Sequence, residues 1–217
     1  MSRETWAAVD AALEQWLLSP DAALQAALES TTAAGMPPIN VTALQGKMLR
    51  LLARSIAAER ILEIGTLGGY STIWLAGGLG PSGRLTSLEV DAKHAEVARN
   101  NIARAGFADR VDVIVGPALE TLATLDGQAF DLTFIDADKV STPAYFDWAV
   151  AHTRPRGLVI VDNVVREGGV IDPQGDANVQ GMRAFLEAAG RDRRVDVTAL
   201  QTVGGKNYDG FAIALVK

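Results

Sequence analysis

Two apolar runs end in oxygen-bearing side chains that together suit a cation. Phe130–Asp136 runs into Asp136-Ala137-Asp138-Lys139, and Gly157–Asp162 runs into Asp162-Asn163. If these runs are neighbouring strands, their ends lie about 5 Å apart. Asp136, Asp162 and Asn163 then offer three hard oxygen donors without sulfur or imidazole, a set suited to Mg²⁺, Ca²⁺ or Mn²⁺. An Asp-Asn pair also caps turns with no ligand at all. A cation is favoured because three polar groups ending two buried strands are costly unless paired. Lys139 follows Asp136 by three residues and points back over the same place if a helical turn begins there. Beside a dication its ammonium is destabilised, which favours the neutral amine a general base requires; a plain surface lysine is the alternative.

A second constellation lies earlier. The run Leu62-Glu63-Ile64 enters Gly65-Thr66-Leu67-Gly68-Gly69-Tyr70-Ser71, whose glycines permit a tight turn and close backbone approach to a ligand before a helix starts. The spacing is not G-x-G-x-x-G, and packing turns look similar. Glu89, about twenty positions on, stands where an acid that binds ribose hydroxyls is expected. A solvated strand-end acid is the bland reading of Glu89 alone; turn and acid in this order favour a nucleoside-type ligand.

Positioning these residues requires alternating strands and helices. Apolar or β-branched runs at Ile61–Ile64, Arg84–Val90, Val111–Val115, Phe130–Asp136 and Gly157–Asp162 alternate with amphipathic stretches at Tyr70–Leu79, Ala92–Gly106, Pro117–Leu125 and Ala144–Thr153. Strand-helix alternation with short joints predicts a parallel sheet covered on both faces, and the near-continuous apolar strands agree. A further helix is predicted from Asn178 to Ala189. Two closing strands, Val195–Val203 and Gly210–Val216, flank Gly204-Gly205-Lys206-Asn207 and predict an antiparallel hairpin. Before residue 60 the pattern is helical. Trp6, Val9, Leu13, Trp16 and Leu17 share one face, buried against the sheet or a partner; Ser19-Pro20-Asp21 opens a second helix with Pro in its first turn; a third helix follows Thr42. The expected fold is α/β: a Rossmann-like, doubly wound, seven-stranded sheet, mostly parallel with an antiparallel C-terminal hairpin, plus N-terminal helices. Residues 1–217 read as one domain, with a helical cap over 1–58 and the core over 59–217.

Composition narrows the function. The 217 residues carry 20 Lys plus Arg against 26 Asp plus Glu, a net charge of −6, so no overall field favours nucleic acid or anionic lipid. With no cysteine, disulfides, thiolate metal sites and cysteine nucleophiles are excluded; two histidines argue against an imidazole-rich site. No run has the roughly 18 apolar residues that span a bilayer, and the N-terminus lacks a signal-like apolar region. A soluble, cytoplasmic protein is expected, with no membrane and no nucleic acid partner.

Taken in order, Glu63-Ile64-Gly65 with Gly69-Tyr70-Ser71, Glu89, Gly116-Pro117-Ala118-Leu119-Glu120, Asp136-Ala137-Asp138-Lys139 and Asp162-Asn163 resemble the cation-dependent class I O-methyltransferases. These catechol and caffeoyl-CoA O-methyltransferase-like enzymes use S-adenosylmethionine. The resemblance runs from about Pro37 to the closing Tyr208-Asp209-Gly210-Phe211, and Asp162 to Pro173 is similar to the bacterial members. It implies that Val41 lies over the methionine part of the cofactor, with Glu63, Gly65, Thr66 and Ser71 around its amino-acid end. It implies Glu89 on the ribose, Ala118 on the adenine, and Asp136, Asp162 and Asn163 as metal ligands. Asp136 would also lie near the cofactor, and Lys139 matches the lysine proposed as base in the catechol enzyme. A homodimer and a small aromatic diol substrate are implied as well. Where the catechol enzyme has a His-Trp pair this chain has Ala137-Asp138, so its substrate wall is not inherited. The competing expectations are an NAD-dependent oxidoreductase, which lacks support from any Tyr-x-x-x-Lys pair, and a non-catalytic ligand-binding protein of the same fold, which would need neither metal ligands nor Lys139.

Overall fold

The computed structural model describes residues 2–217. The helices are α1 (Arg3–Leu17), α2 (Ala22–Ala33), α3 (Ala43–Ser55), α4 (Tyr70–Ala76), α5 (Ala92–Arg104), α6 (Ala118–Thr124), α7 (Thr142–His152) and α8 (Ala177–Ala189). The strands are β1 (Arg60–Ile64), β2 (Arg84–Glu89), β3 (Val111–Val115), β4 (Phe130–Ile135), β5 (Thr153–Asp162), β6 (Val195–Val203) and β7 (Tyr208–Val216). They form a seven-stranded mixed sheet in the order β3-β2-β1-β4-β5-β7-β6, as expected for the Rossmann-like reading. By density of internal packing the chain divides into two compact units, Leu13–Leu125 and Asp126–Lys217 with the first residues through Ala12.

In the Leu13–Leu125 unit, β1, β2 and β3 run parallel, with Ile64 beside Leu88 and Glu89 beside Val115. Their inward residues Ile61, Leu62, Ile64, Leu85 and Leu88 are almost completely buried, which explains why the strands read as unbroken apolar runs. Helix α5 starts at Asp91, whose carboxylate accepts from the backbone of Lys93 at 2.8 Å and His94 at 3.1 Å. Helix α2 uses the same device. Asp21 is its N-cap, accepting from Ala23 and Leu24 at 2.9 and 3.2 Å, so Pro20 lies outside the helix and not in its first turn. The carboxylate satisfies the first free N–H groups, which moves the start past the proline.

In the other unit β4 and β5 are parallel neighbours, whereas β7 runs antiparallel between β5 and β6. The expected hairpin is present, and β7 begins at Tyr208, earlier than the glycine suggested. Strand β5 also begins earlier, at Thr153, where helix had been expected; a register shift between Phe130 and Leu132 and a left-handed Arg156 (φ 66°) absorb the extra residues. Helices α7 and α8 meet through Phe146 and Phe185, whose rings stand edge to face at 4.9 Å. The apolar stripe on α1 is helical as expected but buries no residue within the chain, and Trp16 is 72% exposed.

Candidate active site

The expected nucleoside-binding residues gather at the carboxyl ends of β1, β2 and β3. Gly65 leaves β1 with φ 102°, and Leu67 (φ 51°) and Gly69 (φ 81°) are also left-handed, so the turn folds back tightly into α4. A side chain on Gly69 would press on Ala98 of α5 at 3.3 Å, which is why glycine stands there. Glu89 organises this turn. Its Oε2 accepts from the backbone of Leu67 at 2.8 Å and Thr66 at 3.3 Å, and Oε1 accepts from Asp91 at 3.0 Å. The Glu89 carbonyl accepts from Gly116 at 2.9 Å, which sets Ala118 at the first turn of α6 beside the end of β2.

Glu63, expected at the amino-acid end of the donor, lies beneath the turn at the end of β1. It is fully buried, and its carboxylate accepts from the hydroxyls of Ser71 at 2.6 Å, Thr72 at 2.5 Å and Ser87 at 2.7 Å. It thereby fixes the first turn of α4, including Ser71, from beneath. Thr66 is buried and its hydroxyl pairs with that of Ser87 at 2.6 Å. Val41, buried, precedes the Thr42 cap of α3.

The expected metal ligands and base lie together in the Asp126–Lys217 unit. Ile135 of β4 and Val161 of β5 are register partners, so Asp136 and Asp162 are the next residues on adjacent parallel chains. Lys139 is buried, and its ammonium donates to Asp136 Oδ1 at 2.7 Å, the backward reach its spacing predicted. Asp162 is buried, with its Oδ1 accepting from the Asn163 backbone at 2.9 Å; Asn163 sits at φ 60°, ending the strand sharply. Among the described residues no three His, Asp, Glu or Cys side chains gather as a metal cluster. The fit to a dication therefore rests on donor chemistry, two carboxylates and the Asn163 amide oxygen. All are hard donors, and they fit Mg²⁺, Ca²⁺ or Mn²⁺.

Three positioning residues escaped the sequence reading. Asp138 clamps the loop: its Oδ1 accepts from the Ser141 backbone at 2.9 Å and its Oδ2 from the Tyr145 hydroxyl at 2.5 Å. Burial opposes ionisation of Asp138, but the Tyr145 and Ser141 hydrogen bonds outweigh it and hold the carboxyl below its usual range. Burial first, and then the Asp138 carboxylate, push the Tyr145 phenol up to about 12. Asp209 is also buried, and its Oδ1 accepts from the backbone of Val165 at 3.1 Å, Arg166 at 3.0 Å and Gly210 at 2.9 Å, tying down the segment after Asn163. Gly181 of α8 lies so close to the Lys139 carbonyl that a Cβ would sit 2.1 Å from its oxygen. A glycine inside a helix signals close packing without naming the partner.

Known proteins share this architecture. A family model described as O-methyltransferase matches residues 19–214. A catechol O-methyltransferase of Mycobacterium tuberculosis is 55% identical, over 96% of this chain and 95% of that protein. The crystal structure of an O-methyltransferase from Bacillus cereus in complex with SAH is 50% identical and superposes with a TM-score of 0.98, each chain covered completely. The O-methyltransferase TomG of Streptomyces achromogenes, involved in tomaymycin synthesis and crystallised with SAM, is 47% identical with a TM-score of 0.97, over 100% of this chain and 99% of that one. The chain belongs to the O-methyltransferase family, and it is an enzyme of that kind.

Proposed function

We propose that the chain transfers a methyl group from S-adenosylmethionine to one hydroxyl of a vicinal dihydroxy aromatic molecule, with a divalent cation, Mg²⁺ first among the candidates. The observation that carries this reading is the pair Asp136 and Asp162 at the ends of two adjacent strands, with Lys139 on Asp136. Relatives named catechol O-methyltransferase support the substrate class, and solved relatives with SAM or SAH support the methyl donor. Residues 1–217 would act as one class I methyltransferase domain, in the cytoplasm. A homodimer is part of the proposal, supported by the uncovered apolar residues Val9, Trp16 and Leu17 of α1.

The chemistry asks three things of the chain. The donor must be held, and the residues for that are Val41, the Gly65–Ser71 turn supported by Glu63 and Thr66, Glu89 for the ribose hydroxyls, and Ala118 for the adenine. A carboxylate suits Glu89 because it accepts from two hydroxyls and repels a 2′-phosphate. The acceptor must become a nucleophile. A cation held by Asp136, Asp162 and Asn163 would lower the pKa of a neighbouring hydroxyl and fix its orientation. Lys139, once a cation on Asp136 replaces it as that carboxylate's counter-ion, would release one ammonium proton to solvent, and the neutral Nζ amine would then take the hydroxyl proton. Finally, oxygen and methyl must be aligned, which supplies on the order of 7 kcal/mol or more in good cases; Asp136, which the family resemblance implies for the donor as well as for the cation, would contribute to that alignment. Two adjacent hydroxyls are preferred because one anchors while the other anchors and reacts.

The test is a methyl-transfer assay with S-adenosylmethionine over vicinal diols and matched monophenols, with and without a chelator. Methylation confined to the diols and abolished by the chelator is expected. Equal methylation of monophenols, or indifference to the chelator, refutes the proposal.

A further inference from the structure

Lys206 occupies the tip of the β6–β7 hairpin, in a turn closed by the Gly204 N–H donating to the Asn207 carbonyl at 3.0 Å. Helix α1 holds that tip. The Gly205 N–H donates to Asp10 Oδ2 at 2.8 Å, and the Arg3 guanidinium donates to the Lys206 carbonyl. Because Phe211 of β7 pairs with Asp162 of β5, the chain before it continues past the carboxyl end of β5; the Val164 N–H donates to the Gly210 carbonyl at 3.0 Å. The anchored turn thus sets the exposed Lys206 side chain within the attractive field of Asp136, Asp162 and Asp209. Desolvation disfavours its ammonium, while those three carboxylates favour it.

A second cation belongs to the same neighbourhood. Arg166 follows Asp162 by four residues, and its backbone N–H donates to Asp209 Oδ1 at 3.0 Å. Its Nε is shielded from solvent and has no hydrogen-bond partner. A shielded cationic donor without an acceptor is costly, so an acceptor brought by a ligand would be stabilised there. Charge counting leads to the same ligand. Asp136, Asp162 and Asp209 balance Lys139, Lys206 and Arg166. A dication and the donor's sulfonium then leave three positive charges; a diol that loses one proton cancels one of them, and an anionic substituent on its ring cancels a second, which a neutral ring does not.

We propose that Lys206 is a specificity-determining residue which, with Arg166, pairs with a carboxylate on the methyl acceptor, so that the preferred substrate is a vicinal dihydroxy aromatic acid and not a neutral catechol. This rests on the function proposed above and narrows its substrate class.

The experiment compares kcat/KM for 3,4-dihydroxybenzoate and catechol, with Mg²⁺ and S-adenosylmethionine, in wild type, Lys206→Met, Lys206→Glu and Lys206→Arg. The acid-to-catechol ratio should fall about tenfold or more in Lys206→Met, the scale of a charged hydrogen bond, through KM and not kcat. It should fall further in Lys206→Glu and stay within about threefold in Lys206→Arg, which keeps the charge. A parallel loss on both acceptors, as a purely structural lysine would give, overturns the proposal, and so does an unchanged ratio. If wild type methylates neither compound, the proposed function fails. Calorimetric binding of 3,4-dihydroxybenzoate then decides the present inference separately: weakening of about tenfold in Lys206→Met upholds it, and equal binding or none in wild type overturns it.

Discussion

Gly181→Ala sets two familiar effects against each other. Replacing a helix-interior glycine by alanine ordinarily stabilises by about 1 kcal/mol. Here the added Cβ would lie 2.1 Å from the Lys139 carbonyl oxygen, 2.7 Å from its carbon and 2.9 Å from Val140 Cα. Ordinary contact begins near 3.4 Å, so backbone must retreat by about 1.3 Å, and no side-chain rotation can relieve the clash. Overpacking of this kind costs about 1–3 kcal/mol. The net change in stability is therefore a loss between nothing and about 2 kcal/mol. Turnover reads the displacement more sharply. If Lys139 Nζ is the proton acceptor, a shift of about 1 Å in its loop lowers kcat on the order of a hundredfold. The residues assigned to holding the donor, Val41, Glu63, the Gly65–Ser71 turn, Glu89 and Ala118, all precede Asp126 and lie outside the 139–181 contact, so its dissociation constant should stay within about twofold. Thermal unfolding, steady-state kinetics and calorimetry with S-adenosylmethionine test these three statements. A variant with raised Tm and unaltered kcat would refute the claim that Gly181 positions the Lys139 loop.

Other substitutions probe the donor site, the proposed base and the Asp138–Tyr145 clamp. Glu89→Ala removes the acceptor for Thr66, Leu67 and Asp91 as well as the expected ribose contact, and should weaken S-adenosylmethionine binding by about 1–3 kcal/mol; an unchanged dissociation constant would exclude the ribose role. Lys139→Met should lower kcat by about 10²–10⁴-fold, the range of general base catalysis, with little change in KM; retained kcat would remove Lys139 as the base. The Tyr145 phenol is raised from 10.0 to about 12, so the folded state keeps its proton where the unfolded chain loses it. Its contribution to stability is therefore complete below about pH 10 and is lost as pH rises to about 12. Urea unfolding of wild type and Tyr145→Phe across that window should show a steeper decline in wild type; parallel curves would contradict the assignment.

Much of this arrangement was visible in the chain because strand interiors and strand ends differ in chemistry. Continuous runs such as Leu132-Thr133-Phe134-Ile135 mark doubly covered strands, and a carboxylate ending such a run marks the place where ligands bind. The same logic located Asp136, Asp162 and Glu89. Residues that act through backbone amides or through close approach left weaker signals. Asp209 looks like any turn-proximal acid, yet it fastens two N–H groups beyond β5 and a third within β7. Asp138 differed from the expected pattern, and its use became visible only with Ser141 and Tyr145 in place. Glu63 has the position of a ligand contact and the surroundings of a buried structural hub, with three hydroxyls on its carboxylate. Periodicity on α1 gave the helix correctly but not its burial, because an apolar stripe does not say what covers it.

The central claim is that Asp136, Asp162 and Asn163 bind a divalent cation. Its most direct test is a titration of the chelator-treated protein with Mn²⁺, followed by paramagnetic resonance of the free ion, in wild type and Asp162→Ala. One saturable site per chain is expected in wild type, displaced by Mg²⁺ and lost in the variant while the protein stays folded. Saturable binding that is equal in the two proteins, or no binding in wild type, would contradict it.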